Sequence, residues 1–466
     1  MMPASEMAAC GSRKLAREGV ESTVVPCSGG VTSWRACDPF QQLMLRWREL
    51  HPYNAAHAVI LPGRADAAAL TESIIQTCHQ SGVGDVEIDV RGSRYRLAPL
   101  STLAVTETTL ADLSAKTMAR LLAEQVNQPF PAAVHHPFRW LLVRSPASQM
   151  HGLIVSYDHL IADAFVIQRL LAAVLAGYRV GAPIPIDWRF CHRDRHHGSI
   201  KGWLRFAGSV TTLCAQYLRL RYAHRIHERA ANVDATAVEM FESPLRVPPD
   251  LRTELRAAGF GFNDLVLAAA AKAVGITTPK RIHAPRRRSV GLSTVFSVRD
   301  VPRQRREPEF GPRLDTHTVL VANPEDDALT LVQECARQTK QLRRRLSNSW
   351  QQSLAQSFAI RRFWPVMRIR HEAASYRKVF PVCLGVSTFA DGVGCEGGPA
   401  PMVRVIRACP TGPALPAVLA PTLFGTNLEM ALTYRCSCFD RAEARSLLDH
   451  TVNELSRLFE RFKPAG

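Results

Sequence analysis

The apolar run GLIVSY (residues 152–157) leads into Asp158, His159, Leu160, Ile161, Ala162, Asp163 and Ala164, and a helix-patterned stretch follows at once. That order puts a histidine at the end of a strand, where side chains project from the rim of a sheet toward any cleft beside it. An imidazole with an ordinary pKa of about 6.5 has the chemistry of a general base. Asp163, four residues on, sits where a carboxylate holds the loop or orients the ring. The same spacing also fits a surface histidine followed by an aspartate that caps the helix from Ala164. HxxxD is short, and by itself it does not decide between the two.

Other constellations carry less. The chain has no GxSxG elbow, no GxxxxGK[ST] loop, no HExxH helix and no GxGxxG after a strand. Serine hydrolases of the elbow type, P-loop NTPases, zincins and Rossmann oxidoreductases are therefore disfavoured. Cys191, His192, His196 and His197 have zinc-ligand types but no matching second group nearby, so they read as a solvated loop and no metal is expected. Twelve scattered cysteines without a CxxC pair read as reduced, mostly core thiols.

The elements that must position the motif follow from periodicity. FRWLLVRSP and GLIVSYDHL flank a polar turn and predict a hairpin, and AFVIQRLLAAVLAGY predicts a buried helix. NAAHAVILPG reads as a strand upstream. Asn263 is placed to cap DLVLAAAAKAVG, and GVSTF and LEMALTYRCS read as strands. Strands and helices alternate throughout, so the fold class is α/β. The expected divisions are a flexible leader at 1–36, an N-terminal lobe at 37–180 carrying HxxxD, a basic linker or crossover at 181–243, and a C-terminal lobe at 244–466.

Across 466 residues, 58 Lys and Arg stand against 41 Asp and Glu, a formal charge of +17 that favours anionic partners. The Arg runs at 286–288, 303–306 and 343–345 lack interleaved aromatics, so nucleic acid is not expected. With no apolar leader and no apolar run of about 18 residues, the expectation is a cytoplasmic protein. The basic amphipathic stretch from Trp203 to His227 adds peripheral contact at the inner face of a membrane as an option.

The HxxxD passage resembles the HHxxxDG region of the acyl-thioester-dependent acyltransferase superfamily. That group includes chloramphenicol acetyltransferase, peptide-synthetase condensation domains, wax ester synthases and polyketide-associated acyltransferases. The likeness extends over most of residues 39–460 and in the expected order: YNAAHAVILPGRADAAALTESI, the arginine-bearing hairpin, FGFNDLVLAAAAKAV, TVFSVRD with EFGPR, and GVSTF. The resemblance implies two chloramphenicol-acetyltransferase-like lobes, each a mixed sheet flanked by helices, with an active-site tunnel between them. It implies His159 as general base and Asp163 as a mainly structural aspartate paired with an arginine, for which Arg299 and Arg35 are candidates. The implied oxyanion donor or substrate contact is Ser387 or Thr388, with a backbone N–H as the alternative donor. The implied donor is acyl-CoA or a phosphopantetheine-linked acyl carrier protein, with no permanently bound cofactor, and the acceptor is an alcohol or amine. Two departures, Asp158 for the first histidine and Ala164 for the glycine, keep open a catalytically silent relative that binds an acyl carrier protein or membrane lipid.

Overall fold

A computed structural model describes residues 33–188, 218–297, 309–345, 369–390 and 404–463, apart from short breaks at 101–102, 133, 147, 230–233, 285–286, 380 and 414, together with Arg299 and scattered positions between 211 and 215. Most of the leader, the Cys191–His197 cluster, the Arg303–Arg306 run and about half of the Trp203–His227 stretch lie outside the described residues.

The first lobe is built on a five-stranded sheet. Its order is Arg404–Ala408, Asn54–Pro62, Met150–Asp158, Phe138–Ser145 and Val105–Thr109. Every neighbour pair is antiparallel except the last, which is parallel. The expected hairpin forms, with Phe138 opposite Tyr157 and Ser145 opposite Met150. Asn54–Pro62 is buried at all but its last residue, as a central strand covered on both faces must be. One face packs against the helix Ala67–Gln80 and the helix after the motif, Ala164–Val180, through residues such as Ile74, Trp140, Val155 and Leu170. The other face packs against the helix Ala115–Asn127, and that core also takes in Val238, Met240 and Ala431 of the second lobe.

The second lobe holds a six-stranded mixed sheet in the order Leu314–Val321, Val290–Ser297, Leu384–Val386, Ala417–Leu419, Ala431–Arg435 and Thr236–Met240. The apolar helix Phe262–Thr277 lies against the sheet and between the helices Ala328–Arg345 and Arg441–Arg461. It is buried at twelve positions, which explains why its sequence shows almost no polar face. Among the described residues no single helix is long and apolar enough to cross a membrane.

Four features differ from the sequence expectations. Arg404–Ala408, late in the chain, completes the sheet of the first lobe, and Thr236–Met240, within the stretch read as linker, edges the sheet of the second. Arg35–Ala36, at the end of the presumed leader, pairs with Arg94–Tyr95. Short strands carry too little pattern to announce their partners. The helix expected to start at Asp264 behind an Asn263 cap begins instead at Phe262 after Gly261, because Asp264 accepts from the Gly261 N–H at 2.8 Å and fixes the start; Asn263 donates to Thr294 Oγ1 at 3.1 Å.

Several histidines are packed away from water. Burial, the largest cause in each case, pulls His51, His136 and His224 down to about 4 and His57 well below its ordinary range. An unfolded chain takes up protons near pH 6.5 at these sites while the folded one refuses them, so stability is full above that value and is lost as pH falls toward 4. The midpoint of thermal unfolding is expected to fall steadily from about pH 7 to about pH 5; a midpoint that rises over that interval contradicts the assignment.

Candidate active site

The motif strand Met150–Asp158 ends where a tight turn begins. The Asp158 carbonyl accepts from the N–H groups of Ile161 and Ala162 at 2.9 and 3.2 Å, and Asp163 then caps the following helix by accepting from Val166 N–H at 3.1 Å. Asp163 is fully buried. Its carboxylate also accepts from Arg299 Nη1 at 2.7 Å and Nη2 at 2.8 Å, and from the backbone N–H of Arg313 at 3.0 Å. Arg299 donates further to Gly311 O at 2.8 Å and lies 4.3 Å from the centre of the Phe165 ring. The ion pair is thus buried and bidentate, with the carboxylate satisfied at both oxygens, and it ties the motif turn of the first lobe to Arg299, Gly311 and Arg313 of the second. Arg35, the other candidate, stands instead beside Tyr95 in a small edge sheet.

His159 follows from that frame. Its N–H donates to Tyr53 O at 3.0 Å, across the strand pair. The side chain is 8% exposed, and of its ring nitrogens only Nδ1 is both buried and unpartnered. No hydrogen bond joins the imidazole to Asp163, so the aspartate sets the ring's place through the turn rather than by direct contact. Burial lowers the proton affinity of His159, and the carboxylates of Asp163 and Asp158 only partly offset it. The ring is therefore neutral at pH 7, the form a base needs.

Asp158 points to the other face of the sheet, as alternation on a strand requires. Its oxygens take Leu160 N–H at 3.0 Å and face His135 Nε2 at 3.2 Å. Burial pushes its carboxyl upward, but the His135 bond, the Arg48 charge and the Leu160 N–H outweigh this and hold it below the usual value. It lines a shallow cleft with Arg48, Tyr53 and Phe130. Ala164 is the first residue of its helix with ordinary backbone angles, so the glycine of the related motif is not required for geometry here.

Three residues that no motif announced complete the surroundings. His57 and Arg407 face each other across neighbouring strands, and Tyr157 lies on the motif strand two residues before His159. Tyr157 rings with both histidines, at centroid distances of 5.6 Å to His57 and 5.9 Å to His159. Burial raises the Tyr157 phenol well above its ordinary range, so its hydroxyl stays protonated, and it is hydrogen-bonded to the neutral His57 Nε2 at 3.4 Å. Arg407 reaches the end of the strand Leu384–Val386, where its Nη1 is 3.4 Å from Ser387 Oγ. Thr388 Oγ1 is buried without a partner. No hydrogen bond joins Ser387 or Thr388 to His159; the row His159, Tyr157, His57, Arg407 and Ser387 leads from the first lobe to the second. No group of metal-ligating side chains occurs among the described residues.

No protein-family model and no curated protein matches the sequence. Solved structures do. The first condensation domain of the CDA synthetase superposes with a TM-score of 0.64 at 15% identity, over 93% of this chain and 98% of that one. The condensation domain of the Monacolin K polyketide synthase gives 0.59 at 12% identity, over 93% and 98%. The chain has the condensation-domain fold. Related members with this fold differ in what they are named for: an epimerization domain of tyrocidine synthetase B gives a TM-score of 0.59 at 12% identity over 94% and 99%, and the X-domain from teicoplanin biosynthesis gives 0.55 at 17% over 91% and 94%. Within the condensation-domain fold, the two lobes are those described above, and the Asp163–Arg299 pair bridges them.

Removing one partner of a buried, hydrogen-bonded ion pair leaves an uncompensated charge and costs about 3–5 kcal/mol. Asp163→Ala is expected to lose that much stability in urea unfolding. A loss under about 1 kcal/mol, the value of an exposed pair, would show that the bridge does not hold the lobes.

Proposed function

We propose that the chain is an acyltransferase that moves an acyl group from a coenzyme A or carrier-protein thioester to a hydroxyl or amine. The observation that carries this reading is a neutral, buried His159 at the end of a strand, on a turn that Asp163 and Arg299 lock to the second lobe. A base so placed has little freedom to turn away from an acceptor and needs no deprotonation step before it acts.

The reaction is a direct transfer. The acceptor heteroatom attacks the thioester carbonyl carbon while His159 removes its proton. The tetrahedral intermediate carries an oxyanion, for which Ser387 is the proposed donor. Collapse re-forms the carbonyl, breaks the carbon–sulfur bond and passes the proton from the imidazolium to the departing thiolate. The products are an ester or amide and a free thiol. The surplus of basic residues suits the phosphates of coenzyme A or an acidic carrier protein. A structural neighbour supports the choice of donor: a double mutant of the starter condensation domain of rhizomide synthetase was solved with C8-CoA and Leu-SNAC, at 14% identity to this chain.

The second reading is a binding module without turnover. It is favoured by the X-domain of teicoplanin biosynthesis, which was solved in complex with OxyB. Binding of an acyl carrier protein with no His159-dependent turnover is the outcome that would select it.

Acceptor-dependent release of free thiol from a panel of acyl donors is expected for the wild type. His159→Ala is expected to lower it by about 10²–10⁴-fold, the usual worth of a general base. Because burial depresses the proton affinity of His159, the rate should hold from neutral pH down past about 6.5 and fall only below it. An acid limb centred above about pH 7, or full turnover in His159→Ala, would remove His159 from the role of base.

A further inference from the structure

Arg407 is one of the largest fully enclosed side chains in the protein, at 2% exposure. Its position in the strand Arg404–Ala408 puts it in the sheet of the first lobe, yet every hydrogen bond its side chain makes goes to the second lobe. Nε donates to Thr422 Oγ1 at 2.8 Å, Nη2 donates to Pro421 O at 3.0 Å and also to Ser387 O, and Nη1 approaches Ser387 Oγ at 3.4 Å. The guanidinium carbon lies 5.3 Å from the centre of the Phe389 ring. All of these partners are neutral. Glu429, opposite Thr422 in the neighbouring hairpin, is taken by Arg404 at 2.6 Å. Among the described residues Arg407 has no carboxylate partner.

A cation buried without a counter-ion is costly, because hydrogen bonds to neutral oxygens recover only part of its hydration. The structural work of joining these strands needs no charge. The charge does have two effects at the candidate site. It bears on the Ser387 hydroxyl and the end of its strand, and it bears on His57, which it faces directly.

We propose that Arg407 is a positioning residue of the acyl-transfer site: its guanidinium fixes Ser387 at the lobe seam and lends that hydroxyl positive potential, so that Ser387 can stabilise the oxyanion of the tetrahedral intermediate. This rests on the reading of His159 as the base of an acyl transfer. Arg407 itself does not touch the reacting atoms. It acts through Ser387, and it keeps the neighbouring ring of His57 uncharged so that no second cation competes at the seam. The remaining titratable groups facing that ring are Tyr157, from the motif strand, and His159 beyond it, both neutral.

The test compares wild type, Arg407→Met, Arg407→Lys, Ser387→Ala and the Arg407→Met/Ser387→Ala double variant, each checked for a native unfolding transition, with His159→Ala as the control for the underlying reading. Loss of an oxyanion donor lowers kcat by about 10²–10³-fold, and Arg407→Met and Ser387→Ala are each expected to approach that with KM nearly unchanged. Groups acting as one unit are not additive, so the double variant should lose little more than either single one, and Arg407→Lys should recover part of the loss. Where Arg407→Met fails to fold, Arg407→Lys and Ser387→Ala carry the same comparison. A second arm needs no turnover: in histidine-labelled protein followed by NMR, Arg407→Met should raise the proton affinity of His57 by about tenfold, while Ser387→Ala leaves it unchanged. Turnover in Ser387→Ala equal to wild type, or strict additivity of the two losses, would overturn the proposal. If the wild type proves inactive, the reading beneath has failed by itself, and an unchanged His57 in Arg407→Met then removes the electrostatic role as well.

Discussion

The carboxylate of Asp163 is the point on which the two lobes and the motif turn converge. It accepts from a helix N-terminus, from both ends of an arginine fork and from a backbone N–H across the seam. A buried carboxylate is expensive unless it is satisfied in this way, so the three partners are held together by the cost of letting any one go. The turn between Asp158 and Asp163 inherits that rigidity. His159 is then placed by its own N–H bond to Tyr53 O and by the packing of its ring beside Tyr157. The aspartate orders His159 without a hydrogen bond to its ring.

Other charges cross the same boundary. Arg299 reaches from the second lobe into the first, and Arg407 reaches from the sheet of the first into the second. Glu372, wholly buried in the helix Ile369–Val379, accepts from Arg46 and from the Trp47 indole on the helix Pro39–Trp47. Apolar packing alone would let the lobes slide, since it is non-directional. Bidentate and multiply bonded arginines fix a register instead. A reaction that needs a base from one lobe and a hydroxyl from the other depends on that register.

Much of this was legible in the sequence because it is local. The hairpin, the buried helix after the motif and the candidate pair His159 and Asp163 all follow from alternation, helical spacing and residue type over about twenty residues. Arg299 could be named only through the likeness to a known family, and that likeness left it level with Arg35. What was not legible is long-range. His57 sits inside an apolar strand and reads as a core residue, Tyr157 reads as an ordinary strand aromatic, and Arg407 lies in a short strand whose pairing with Asn54–Pro62 has no local signal. The start of the helix Phe262–Thr277 was misplaced for a smaller reason: both Asn263 and Asp264 have capping chemistry, and the carboxylate at the third position won.

The most direct measurement is a structure of the protein with an unreactive thioether analogue of an acyl-coenzyme A and an alcohol or amine acceptor. The account predicts the acceptor heteroatom within about 3 Å of His159 Nε2, with the analogue's carbonyl-equivalent carbon beside it and the Asp163–Arg299 bridge intact. An analogue seated instead in the cleft beside Asp158 and Arg48, with His159 facing neither molecule, would contradict it.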